Sequence, residues 1–106
     1  GDNIPVLIFD EIDAGIGGRA AETVGQKLHN LASRHQIISI THLPQIASYA
    51  GTHLKIEKKV KDKRTVVQIS RIEKDERIHE VARMLSGEPS EVSLKHAREM
   101  LKKGHR

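Results

Sequence analysis

The sequence predicts an α/β fold: a βαβ unit with two parallel strands, then an antiparallel hairpin, then two C-terminal helices. Three observations predict it. Two short apolar runs, Val6-Leu7-Ile8-Phe9 and Gln36-Ile37-Ile38-Ser39-Ile40, read as buried strands covered on both faces. A helical stripe of Ala20, Val24, Leu28 and Leu31 separates them, which requires parallel strands joined by a right-handed crossover. After residue 52 the apolar spacing changes to two and then returns to helical.

The elements follow in order. The first strand ends at Asp10-Glu11, and a glycine-rich loop, Ile12-Asp13-Ala14-Gly15-Ile16-Gly17-Gly18, leads into a helix over 19–35, slightly weakened by Gly25. The second strand ends in Thr41-His42-Leu43-Pro44-Gln45, and Pro44 suits the first turn of a short helix over 45–50. Leu54 and Ile56 alternate with Lys55 and Glu57, and Val67 and Ile69 with Gln68 and Ser70. Strands over 53–59 and 64–72 follow, joined across 60–63. A helix over 73–85 carries Ile78, Val81, Ala82 and Leu85 on one face, and Ser86-Gly87-Glu88-Pro89 ends it. Ser90 is an N-cap for a last helix reaching 103, with Ser93 in place of the usual capping-box glutamate and with Val92, Ala97, Met100 and Leu101 as its apolar positions.

Composition narrows the chemistry. The chain has 106 residues, enough for one modest core, and aromatics are only 2%, so that core is aliphatic. Phe9 and Tyr49 are the only aromatics, which argues against a stacking platform for single-stranded nucleic acid. The net charge of +4 suits either a nucleic-acid partner or a solvated surface; the lysines around 58–64 serve equally to protect a sheet edge. The absence of cysteine excludes disulfides and thiolate metal sites, and no apolar run approaches membrane-spanning length. A cytoplasmic setting without a membrane is expected. The chain is inside a central strand by Val6, so we expect it to be part of a larger protein.

An apolar strand ending in Asp-Glu is the Walker B pattern. Asp10 suits a hydrated Mg²⁺, and Glu11 suits orienting or deprotonating a water. Taken alone, the hexapeptide fits an acidic turn as well. With parallel strands, His42 leaves the sheet at the same edge, where ligands bind in open α/β sheets. There an imidazole can reach a terminal phosphate oxygen or the attacking water.

These segments, with Ile40-Thr41-His42-Leu43-Pro44-Gln45-Ile46-Ala47 and the tail from Glu80-Val81-Ala82-Arg83-Met84-Leu85-Ser86-Gly87 to Ser93-Leu94-Lys95-His96-Ala97, resemble the C-terminal part of the RecN family. Its members are SMC-like DNA repair ATPases with an ABC-type head. The resemblance implies that residues 1–106 form one C-terminal part of a P-loop NTPase head, from Walker B to the switch-histidine loop and tail, with ATP and Mg²⁺ as cofactors. It implies Asp10 as metal support through water and Glu11 as the catalytic glutamate. Asp13, Gly15, Gly17 and Gly18 fall in the D-loop at the interface between heads. His42 becomes the γ-phosphate sensor, beside Thr41 and Gln45 at the nucleotide. Many D-loops of the wider superfamily end in Leu-Asp, where this chain has Ile16-Gly17. Implied partners are a second head closing over ATP, the upstream Walker A and coiled-coil half of the same protein, and DNA, in the bacterial nucleoid.

No Gly-x-x-x-x-Gly-Lys-Ser/Thr occurs in the chain, so the isolated chain is expected to hold ATP weakly. Leu85-Ser86-Gly87-Glu88 imitates the family's signature motif, but it follows Walker B, lacks the second glycine and precedes Pro89. It reads as a helix-terminating turn. Two alternatives stand behind the ATPase head. Asp10-Glu11-Ile12-Asp13 matches a helicase Asp-Glu-x-Asp box, although the second strand lacks the usual Ser-Ala-Thr ending. The terminal helices also suit a helix-turn-helix module with Arg77, Arg83, Lys95 and Arg98 toward phosphates. A metal hydrolase fits least, because the seven histidines include no His-Glu-x-x-His spacing.

Overall fold

The structure, a computed structural model, describes residues 6–10 and 18–104. Strands β1 (Val6–Asp10) and β2 (Gln36–Ile40) pair in parallel, joined by helix α1 (Gly18–Leu31). A one-turn helix α2 (Pro44–Ala47) precedes the antiparallel hairpin of β3 (His53–Lys61) and β4 (Arg64–Ile72). Helices α3 (Lys74–Ser86) and α4 (Glu91–Gly104) close the described chain. The order and types of the elements follow the sequence expectations. The differences lie at their ends and faces.

α1 stops at Leu31, where Ala32 to His35 form a turn closed by Arg34 and His35 N–H groups on the Leu31 carbonyl, 3.0 Å each. Its buried face also differs from the expected stripe. Ala21 is buried and Ala20 is exposed. Gly25 explains the shift. A Cβ built there would lie 2.6 Å from the Tyr49 ring and 2.9 Å from the Gln45 carbonyl oxygen. The missing side chain is therefore what lets α1 approach α2, and this approach outweighs the small loss of helix propensity.

β2 was expected to be buried on both faces. Instead Ile38 and Ile40 are 47% and 45% exposed, because the described sheet has two strands and nothing among the described residues covers that face. The hairpin is similar. Its two-residue turn at Asp62 and Lys63, both at positive φ (51° and 63°), is shorter than the expected 60–63 connection, and that geometry matches the twist of the strands. Opposite residues share a face, so Leu54, Ile56 and Val60 lie with Val67 and Ile69 on a side that is exposed throughout. The other side turns toward α3: Ile72 is 2% exposed, and Lys55 reaches buried Glu80 at 3.4 Å.

The main core lies between α3 and α4. Val81, Ala82 and Ala97 are buried, with Ile78, Leu85, Leu94, Met100 and Leu101 around them. α3 ends at Gly87, whose φ of 83° suits a glycine and whose N–H donates to the Arg83 carbonyl at 2.7 Å. Two serines cap α4 reciprocally. Ser93 N–H donates to Ser90 Oγ at 3.1 Å, and Ser90 N–H donates to Ser93 Oγ at 2.7 Å. This start turns Ser93, Leu94, Ala97 and Leu101 inward. Val92, expected on the apolar face, is 79% exposed instead.

Glu80 is a buried carboxylate held by two cations. Arg83 Nε lies 3.0 and 3.1 Å from its two oxygens, Arg83 Nη2 makes a further short contact, and Lys55 completes the cluster. Burial alone raises its pKa, but Arg83 and Lys55 together outweigh that and hold it below the ordinary carboxylate value.

Two outcomes follow from this packing. Gly25→Ala lowers unfolding stability by about 1–3 kcal/mol through overpacking against Tyr49, measured by urea titration. Gly51→Ala, where a Cβ meets nothing within 4 Å, is close to neutral in the same titration. A Gly25→Ala protein as stable as the parent contradicts the close approach. For Glu80, the folded pKa lies below the unfolded one. Its contribution is complete above the unfolded value of about 4.3 and is lost as pH falls through the lower folded value. Glu80→Gln therefore flattens the acid limb of the stability curve, and an unchanged slope contradicts the assignment.

Candidate functional site

The candidate site is the carboxyl edge of the parallel pair. β1 and β2 run in register from Val6↔Gln36 to Asp10↔Ile40. Asp10 ends one strand and Ile40 ends its neighbour, so the segments that continue both strands leave from one edge. Asp10 is thus brought to the edge that carries Thr41 and His42, as expected for parallel strands. Gly18 is the first residue of α1. Glu11, Asp13, Gly15 and Gly17, also named as site residues from the sequence, lie outside the described residues.

Beyond β2 the chain turns on a side chain. The Leu43 N–H donates to Thr41 Oγ1 at 3.0 Å, which folds Thr41-His42-Leu43 into a tight bend and leaves His42 exposed. Leu43 caps α2 in an extended conformation, and Pro44 occupies its first turn. α2 is shorter than the expected 45–50 helix. Past Ala47 the chain tightens into i to i+3 bonds, with Tyr49 N–H on the Ile46 carbonyl and Ala50 N–H on the Ala47 carbonyl, 3.1 Å each.

Four side chains or close approaches hold this turn from outside. Arg77 on α3 donates from Nη2 to the carbonyls of Ala47 at 3.1 Å and Ala50 at 2.6 Å. His29 Nδ1 lies 3.2 Å from the Tyr49 carbonyl oxygen. Gly25 admits the Tyr49 ring, and Gly104 at the end of α4 lies so close to the Ser48 carbonyl that a Cβ there would collide with it. Tyr49 OH also donates to Glu22 at 3.4 Å, and Glu22 pairs with Lys103 of α4. Gln45 is half-buried, and its Oε1 has no hydrogen-bond partner among the described residues.

Arg77 was not recognised from the sequence as a support for the site. An arginine on a terminal helix of a basic chain reads as a surface group. Yet it sits one turn before Val81 on the apolar stripe, and that position was the available signal. Its burial lowers its pKa from the ordinary value. His53 beside it is pushed below its usual value, first by burial and then by Arg77, with Glu80 opposing. The helix-turn-helix reading loses two of its four contacts here, because Arg77 is turned inward onto α2 and Arg83 is engaged by Glu80. A cleft of ≈ 330 Å³ between α1, α2 and α4 is lined by Glu22, Gln45, Tyr49 and Lys103. Among the described residues its lining includes Gln45 but not His42, so it flanks the sheet edge and is not part of it.

The chain is 52% identical over 101 residues to the DNA repair protein RecN of Deinococcus radiodurans, 41% over 101 residues to that of Bacillus subtilis, and 50% over 98 residues to that of Rickettsia bellii. These matches cover 92–95% of this chain and 18% of each relative. The chain thus spans about one fifth of the length of the curated relatives it matches. No family model matches it. In fold it is similar to a solved SMC ATPase chain described for ATP-driven dimerisation and DNA-stimulated activation, with a TM-score of 0.55 and 18% identity over 96% of this chain and 48% of that one. Among the described residues no helix is long and apolar enough to cross a membrane. With 41–52% identity along nearly its whole length, the chain belongs to the RecN family of DNA repair proteins, as a C-terminal part.

Proposed function

We infer that this chain supplies one wall of an ATP-hydrolysing site in the head of an SMC-like double-strand break repair protein. The observation that carries it is the in-register end of β1 and β2, with Asp10 at the edge where the Thr41-His42 bend begins. The likeness to RecN proteins and to an SMC ATPase fold supports it. Residues 1–106 would run from Walker B through the D-loop and switch histidine to the tail of one head.

A carboxylate and an exposed imidazole at one strand edge suit hydrated Mg²⁺ and phosphate oxygens, so the residues fit half of a nucleotide site. The phosphate cradle would come from elsewhere in the parent protein, since no P-loop sequence occurs here. Asp10 would support Mg²⁺ through water. Glu11 would orient the attacking water and accept its proton. His42 would hydrogen-bond the γ-phosphate, with Thr41 shaping the bend behind it. Gln45 belongs to the same segment, and its buried amide oxygen has no hydrogen-bond partner among the described residues. Asp13, Gly15, Gly17 and Gly18 would face the second head. ATP supplies the phosphoryl group whose transfer to water would be coupled to engagement of two heads and, through the whole protein, to DNA in the bacterial cytoplasm.

In the full-length protein Glu11→Gln keeps ATP binding and loses roughly 10²- to 10⁴-fold in hydrolysis, as expected for removal of a general base. Engaged dimers then accumulate with ATP, read by size-exclusion chromatography. Wild-type turnover in that variant would sink the assignment. The isolated chain, lacking the cradle, shows little ATP binding by calorimetry, and tight binding would contradict the half-site.

A further inference from the structure

His42 lies two residues ahead of a helix too short to hold itself. α2 is a single turn of four residues, and isolated helices of that length do not persist in water. The carbonyls at a helix end need donors; here the Ala50 N–H reaches the Ala47 carbonyl, and one side-chain nitrogen adds a bond to that carbonyl and another to the Ala50 carbonyl just past the helix. Arg77 Nη2 lies 3.1 Å from the Ala47 carbonyl and 2.6 Å from the Ala50 carbonyl. Arg77 belongs to α3, and α3 is packed on α4 through Val81, Ala82 and Ala97. The guanidinium therefore joins the end of α2 to the helix pair that forms the buried apolar cluster of the described residues. The other end of α2 follows the Thr41-His42-Leu43 bend, in which His42 lies five residues before Ala47.

We propose that Arg77 is a positioning residue for His42: by holding the carbonyl end of α2 against α3, it fixes the bend that presents the imidazole at the sheet edge. This rests on the role of His42 at the γ-phosphate inferred above. The arrangement calls for an arginine. A guanidinium nitrogen directs two N–H groups in a fixed plane and is less strongly hydrated than an ammonium, so it is better suited to burial. It also makes the α3–α4 pair a mechanical backing for the histidine, so that anything shifting these helices shifts His42.

The test is a double-mutant cycle in the full-length protein, read by steady-state ATP hydrolysis with thermal melts alongside. Arg77→Met lowers kcat by roughly 10- to 100-fold, the scale of a misplaced catalytic group, with little change in KM for ATP. Arg77→Lys recovers part of the loss, and it carries the test if Arg77→Met does not fold. In a His42→Ala background the Arg77 substitution costs little more, because the group it positions is already gone. Independent losses that add in full, or an unchanged kcat in folded Arg77 variants, overturn the inference alone. Wild-type hydrolysis by His42→Ala instead overturns the γ-phosphate role of the histidine, and the inference falls with it.

Discussion

The described structure depends on one buried guanidinium meeting the open end of one turn of helix. A charge removed from water is costly unless hydrogen bonds replace its hydration, and a helix end is costly unless its carbonyls find donors. Arg77 and the end of α2 answer each other's requirement through the Ala47 and Ala50 carbonyls. The surrounding contacts point at the same few atoms. α1 comes close because Gly25 has no side chain, α4 comes close because Gly104 has none, and His29 lies at the Tyr49 carbonyl. Three helices thus meet at a four-residue turn whose first end continues from the Thr41-His42 bend.

This convergence gives α2 a part that its length does not suggest. A single turn contributes little burial of its own, but it is where α1 meets α3 and, through Gly104, α4. The Glu22–Lys103 pair, with Tyr49 on Glu22, adds a second tie between α1 and α4 at the surface. An exposed ion pair is worth little in stability. Its position across two helices that both border α2 makes it a constraint on their relative placement.

The sheets behave differently. Both are two-stranded among the described residues, and each has an aliphatic face open to solvent: Ile38 and Ile40 on β2, and Leu54, Ile56, Val67 and Ile69 on the hairpin. Contiguous apolar surface of this kind is uncommon on isolated soluble domains and marks places where other structure packs. The opposite hairpin face shows what such cover looks like, with Ile72 buried and Lys55 paired with Glu80 beneath α3. The curated relatives are more than five times the length of this chain, so ample structure exists in them to serve that purpose.

The sequence by itself determined what depends on spacing between neighbours: the two parallel strands and their crossover, the hairpin, the helix stop at Gly87 and the serine cap of α4. Each is settled within a few residues by backbone geometry or by apolar period. It also brought Asp10 and His42 to one edge, because parallel strands leave a sheet on the same side. Only the tertiary structure decided which residue of a stripe faces inward. Ala21 replaced Ala20 and Leu94 replaced Val92 because Gly25 and the Ser90–Ser93 cap set helix rotation through contacts distant in sequence or reciprocal within the cap. Arg77 is the clearest case. Its position on an apolar stripe was visible, but the carbonyls that make its burial tolerable lie 27 and 30 residues away along the chain. No local pattern contains them, and packing of α3 beside α2 alone brings donor and acceptors together.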